Sequence, residues 1–157
     1  MHDIFPLGAG VSKVRGIVTL IKENNGSIAI SELAEEAEED LDALLPLIDA
    51  CRMLGFVKVD DSDIKLTEEG EKLSRGSPYR IIRGNLKKVE PFKTVFAALA
   101  KKRLTTPEIL ELLDSKGIYI SEDSEGKESV IKKLLRLWGV RTKLLFYNEE
   151  TDKWSLR

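Results

Sequence analysis

The chain has 157 residues, 42% hydrophobic and 33% charged, the balance of a soluble globular protein that fills one ordinary domain or two small ones. No apolar run approaches the roughly 18 residues of a spanning helix, and the opening Met1, His2, Asp3, Ile4 lacks the basic and apolar regions of a leader, so a cytoplasmic protein is expected. The net charge of −2 hides an asymmetry: residues 1–70 carry 6 Lys+Arg against 15 Asp+Glu, residues 71–157 carry 19 against 12, and such opposite halves point to different partners or to contact with each other.

Phe5 to Gly10 reads as a loop. Val14, Ile17, Val18 and Ile21 then recur at helical spacing until Asn24, Asn25 and Gly26 stop them. Ile28 to Ile30 is a brief extended piece, and Ser31 is placed to cap a short helix ending near Ala37. Asp40 can cap the next, whose apolar stripe is Leu41, Leu44, Leu45, Ile48, Cys51 (or the Arg52 stem) and Leu54, with Pro46 inside it predicting a kink or a restart. Leu54 and Gly55 close that helix, and Phe56 to Val59, a turn at Asp60 to Asp63, and Ile64 to Leu66 form a hairpin. Thr67 caps a helix to Leu73, and Arg75 to Pro78 is the expected boundary between units.

Tyr79 to Val89 is predicted helical, and Pro91 starts a helix with Phe92, Val95, Phe96 and Leu99 on one face. Thr106 is placed to cap Pro107 to Leu113, with Gly117 at its end. Tyr119 and Ile120 then form a short strand, and Ser121 to Gly126 a polar loop. Val130, Ile131, Leu134, Leu135 and Trp138 make the next buried stripe. Leu137, Trp138 and Gly139 close it, and a second hairpin follows through Leu144 to Tyr147, a turn at Asn148 to Asp152, and Lys153 to Leu156. The duplicated sequence of helices, glycine stop and hairpin predicts an α+β, mostly helical protein of two winged helix-turn-helix-like units in tandem, residues 1–76 (acidic) and 77–157 (basic).

Chemistry is sparse. The sole histidine is His2, so no His-based triad is available, and two distant Cys/His residues cannot make the roughly four ligands of a zinc site. Cys51 sits in an apolar helix, where a buried inert thiol is expected. Gly126 and Lys127 fail as a phosphate-binding loop, because Ser121 stands where glycine is needed and Glu128 where Ser or Thr is needed. Asp60, Asp61 and Asp63 lack the glycine and the closing acid of a calcium loop and read as a hairpin turn. No cofactor, no metal and no catalytic residue is expected, and the chain reads as a non-enzyme.

The exposed faces of the two third helices differ. Glu38, Glu39, Asp42 and Asp49 surround the first, with Asp40 before it and Arg52 as its one base. Such a face would be repelled by a duplex and is the candidate protein-docking site. On the second, Lys132, Lys133 and Arg136 lie opposite the apolar stripe and Arg141 and Lys143 follow, a candidate nucleic-acid contact. No Asn or Gln there reads adenine. Trp138 and Trp154 end apolar stripes and are expected in the core. Phe92, Val95, Phe96 and Leu99 either close the second core or form the seam of a homodimer.

The run from Leu41 to Ala50, then Leu54, Gly55, Phe56, Val57, and Asp63, Ile64, Lys65, Leu66, Thr67 and Gly70, resembles the AAA-associated C-terminal domain found after the ATPase of ABC transporters of the nitrate, sulfonate and bicarbonate type. Phe5, Pro6, Val11, Val14 and Gly16, then Ser31, Leu33 and Ala34, and later Leu137, Trp138, Gly139 and Leu145 to Asn148, agree in order and spacing. The resemblance implies a regulatory or protein-interaction module beside a nucleotide-binding subunit, without ATP hydrolysis of its own, whose partner is an ABC transporter ATPase or permease. Pro46 belongs to the family pattern. Because no ATPase precedes Met1, a free-standing relative or an excised portion is expected. The basic second half keeps a DNA-binding winged-helix transcriptional regulator as the alternative.

Overall fold

The computed structural model describes residues 4–76, 78–121 and 126–157. The protein is α+β, 56% helical, with small antiparallel sheets. It divides into two compact units, one of Gly8–Asn85 and one of Leu86–Arg157 joined by the amino-terminal residues through Leu7. The expected boundary, 76/77, lies before that division.

The first unit runs α1 (Val11–Glu23), β1 (Ser27–Ala29), α2 (Ile30–Ala37), α3 (Leu41–Met53), β2 (Val57–Asp60), β3 (Asp63–Leu66) and α4 (Glu68–Arg75), with α5 starting at Pro78 and ending at Leu86. Its sheet has the order β1-β3-β2, so the last strand lies between the other two. Val11, Val14, Ile17, Val18 and Ile21 line the buried face of α1, and Leu44, Leu47, Ile48, Ala50 and Cys51 that of α3. Removing each large aliphatic chain from water contributes about 1.5–3 kcal/mol, which fixes these two helices more firmly than their intrinsic propensities do.

Several sequence expectations need correction here. Leu41 and Leu45 are not in the buried stripe: they are 50% and 43% exposed, and Leu47 and Ala50 are buried instead. Pro46 does not restart α3, which continues from Leu41 to Met53; its missing N–H falls at the half-buried side of the second turn. Ser31 does not cap α2, because Ala29 occupies the N-cap; Asp40 has the N-cap position of α3, yet its side chain makes no capping bond. Thr67 does cap α4, its hydroxyl accepting the Gly70 N–H at 3.1 Å and donating to the Gly55 carbonyl at 2.5 Å. Gly70 itself lies so near the Phe56 carbonyl that a Cβ there would stand 2.2 Å from the oxygen.

The second unit has α6 (Phe92–Leu99), β4 (Leu104–Thr105), α7 (Thr106–Ser115), α8 (Lys127–Leu134), a π-helical segment (Leu135–Val140), β5 (Leu145–Asn148) and β6 (Lys153–Leu156). Its sheet order is β4-β6-β5. Both units therefore repeat helix, strand, helix, helix, strand, strand, and each sheet sets its first strand beside its last. The repeat reaches single hydrogen bonds: Phe56 N–H bonds to Cys51 C=O and Thr67 N–H to Phe56 C=O, while Leu144 N–H bonds to Gly139 C=O and Arg157 N–H to Leu144 C=O.

That correspondence overturns Gly139 as the second helix stop. The left-handed residue equivalent to Gly55 (φ 84°) is Lys143 (φ 66°), and Gly139 is buried where a Cβ would meet the Leu145 side chain at 2.5 Å. Thr106 is not the cap of α7 either. Thr105 is, in a reciprocal box: its hydroxyl accepts the Glu108 N–H at 3.3 Å and the Glu108 carboxylate accepts the Thr105 N–H at 2.9 Å. Tyr119 and Ile120 form no strand; the short strand is β4, paired Leu104 to Trp154. The polar loop expected at 121–126 lies, apart from its two ends, outside the described residues.

Trp138 and Trp154 are fully buried, and Val130, expected in the stripe, is only half-buried. Phe92, Val95, Phe96 and Leu99 are all buried, as expected of core residues. Phe5, read as part of a leading loop, packs edge-on against Phe92 at 5.1 Å and Trp138 at 5.4 Å between ring centroids. The chain thus anchors its beginning in the second core before entering α1.

Candidate functional site

Helix α2 ends at Glu38, held in the left-handed region (φ 55°), and the chain turns through Glu39 and Asp40 into α3. Glu38, Glu39, Asp40 and Asp42 are exposed there, and Asp49 follows two turns along, 3.7 Å from Arg52. Leu41 and Leu45, one helical turn apart, stand exposed among these acids. Charge alone made this face a candidate in the sequence. The structure adds the apolar pair, hidden earlier because Leu41, Leu44, Leu45, Leu47 and Ile48 surround most of the helix and leave its phase open. Glu39 also borders a cleft of about 550 Å³ floored by Gly16, Ile17, Leu20, Ala37 and Leu47 of α1, α2 and α3. The α3 face combines exposed aliphatic area with a rim of carboxylates, which suits a partner surface of opposite character.

On α8 and beyond, Lys133, Arg136, Arg141 and Lys143 are exposed and Lys132 is half-buried. The second hairpin brings carboxylates to that face. Arg136 donates to Glu149 at 3.0 Å, Lys132 lies 3.9 Å from Asp152, and both cations stand over the Tyr147 ring, at 5.0 Å and 5.9 Å from its centroid. Two of the five predicted phosphate contacts are therefore already paired with acids of the turn.

The sequence missed the network behind them. Asp152 accepts the Thr106 N–H at 3.2 Å, the Thr106 hydroxyl at 2.6 Å and the Tyr147 hydroxyl at 2.6 Å, while Thr106 accepts the buried Trp154 indole N–H at 2.9 Å. Burial would raise the Asp152 carboxyl, but the hydrogen bonds from Thr106 and Tyr147, with Lys132 nearby, outweigh it and hold the group below the ordinary carboxylate range. The bond to Asp152 raises the Tyr147 hydroxyl in return. This network ties the tip of the hairpin to the start of α7. It is structural, and nothing local in sequence marks it except an Asp in a hairpin turn and a Thr-Pro at a helix start.

Burial pushes the Cys51 thiol up to about 12, so it stays protonated and unreactive. Among the described residues no group of three His, Cys, Asp or Glu could hold a metal, and no helix is long and apolar enough to cross a membrane.

The family model of the C-terminal AAA-associated domain matches residues 31–148, from α2 of the first unit to the last residue of β5 in the second. The chain belongs to that family. No curated protein and no solved structure matches the chain itself. The matched span of this AAA-associated domain contains both candidate faces, the acids around α3 and the bases of α8 and the following turn.

Proposed function

We propose that this AAA-associated domain is a non-catalytic accessory module that docks on a protein partner, an ABC transporter ATPase or its permease, through the exposed face of α3, and regulates it from the cytoplasm. The observation that carries this reading is the exposure of Leu41 and Leu45 within a rim of Glu38, Glu39, Asp42 and Asp49. The aliphatic area of Leu41 and Leu45 left in water gains nothing from burial in the free chain, yet each contributes about 1 kcal/mol or more once a partner covers it. The family membership supports an accessory role beside an ATPase.

The order of elements in each unit supports tandem winged helix-turn-helix units, in which α3 and α8 take the place of the contact helix. Acids on α3 are unsuited to a duplex carrying one negative charge per ~1.7 Å. The DNA-binding alternative on the second unit is weakened by the pairing of Lys132 and Arg136 with Asp152 and Glu149.

The test is to mix the chain with an ABC-type ATPase of the nitrate, sulfonate or bicarbonate class from the same source, and to follow co-elution and ATP hydrolysis. Co-elution with a changed hydrolysis rate, and no hydrolysis by the chain alone, is expected. A mobility shift with duplex DNA at ~50 mM salt, without any effect on the ATPase, would replace docking by DNA binding.

A further inference from the structure

A concavity of about 770 Å³ lies within the second unit, a groove between α6 and α7. Its apolar lining is Ala97 and Ala98 on α6, Leu104 of β4, and Leu112 on α7. Small residues on the α6 side let another backbone come close, and the two helices provide the paired walls into which a third helix fits. The eight residues of α6 span about 12 Å at 1.5 Å per residue, room for roughly two turns of that helix.

The rim is cationic. Lys93 and Lys101 flank Ala97 at one-turn spacing, Lys102 follows them, and Lys116 closes the α7 side; all four are exposed and form no ion pair among the described residues. Of the two acids in the lining, Glu108 accepts the Thr105 N–H and feels the charge of Lys102, and Glu111 has no capping role, so the four lysines outnumber the carboxylates by two. A basic helix would meet a net positive lining here, and a neutral apolar helix would leave the surplus of two positive charges uncompensated. We infer that the α6–α7 groove is a second docking site, separate from the α3 face, and that its occupant is an amphipathic acidic helix of a partner protein. That helix lays small aliphatic side chains on Ala97, Ala98 and Leu112 and sets carboxylates against Lys93, Lys101 and Lys102.

The test is to pan a displayed library of helical peptides, unrestricted in charge, on the full chain and to measure the recovered peptides by fluorescence anisotropy. Two variants separate shape from charge. Ala97→Gln fills the groove and leaves its charge alone, whereas Lys93→Glu with Lys101→Glu reverses the charge and leaves the groove open; all three positions are exposed, so melting should match the parent. The expected result is enrichment of acidic amphipathic peptides whose affinity falls about tenfold or more in each variant and several-fold between ~50 and ~300 mM salt. Recovery of neutral or basic peptides, binding that survives both variants, or no binder at all overturns the inference. Because none of these variants touches α3, retained binding of the ATPase by them keeps this result distinct from that of the α3 reading.

Discussion

Thr106 and Asp152, 46 residues apart, are joined by two hydrogen bonds, from the backbone N–H and from the hydroxyl of the threonine to the carboxylate. The same hydroxyl accepts the Trp154 indole N–H, so one buried side chain fixes the start of α7, the hairpin turn and a core tryptophan. Thr106→Val keeps the shape and removes the hydroxyl, leaving the indole N–H without its acceptor. A loss of about 2 kcal/mol is expected, read from denaturant midpoints at unchanged slope. Asp152→Asn keeps the left-handed backbone (φ 53°) but sets its NH2 against at least one of the three donors that the two carboxylate oxygens now serve, so a loss of about 1–3 kcal/mol is expected there too.

The same network sets a pH window. Asp152 is held below its ordinary range, so its contribution is complete above the unfolded-chain value near ~3.9 and is lost as pH falls through the lower folded value. Tyr147 is raised, so its contribution is complete below the unfolded value near ~10 and is lost as pH rises through the higher folded value. Thermal melts between pH 2 and pH 12 should show a plateau between those limits. Asp152→Asn should flatten the acid limb and Tyr147→Phe the alkaline limb; limbs unchanged in both variants would remove the network as their source.

Phe5 inserts between Phe92 and Trp138. Phe5→Ala should destabilise the second unit by about 3–5 kcal/mol, as for other buried aromatic truncations. The Trp138 fluorescence transition should move to lower denaturant. An unchanged transition would mean that the beginning of the chain does not complete that core.

Gly70 and Gly139 are both tight, for different reasons. A Cβ at Gly70 meets the Phe56 backbone carbonyl, which cannot turn aside, whereas at Gly139 it meets the flexible Leu145 side chain. Gly70→Ala should cost about 2 kcal/mol or more and Gly139→Ala less, as overpacking against backbone is harder to relieve. Equal midpoints for the two variants would contradict this.

Much of the framework is legible from spacing alone. Val14, Ile17, Val18 and Ile21 locate α1, Gly55 marks a true left-handed stop, and both hairpins declare themselves by their turn residues. What is hidden depends on distance or on phase. The two residues of β4 have no pattern of their own and become a strand only because Trp154 lies opposite Leu104. Lys143 replaces glycine at the second stop because the π-helical segment runs through Gly139 to Val140 and the left-handed residue comes only at the end of the turn that follows it. At the candidate site the acids were readable as charges, but which leucines joined them was not, since a helix apolar over most of its circumference does not announce its buried side.

Isothermal titration of the ATPase partner with the parent chain and with Leu41→Ser/Leu45→Ser tests the docking role of α3 most directly. Both leucines are about half exposed, so the variant should stay folded with a loss of about 1–3 kcal/mol, read from its melt beside the parent. Its affinity should nonetheless fall at least about tenfold, the equivalent of about 1.4 kcal/mol of lost apolar contact. Equal affinity of the variant and the parent, or a loss produced instead by Lys133→Glu with Arg141→Glu, would contradict docking through α3.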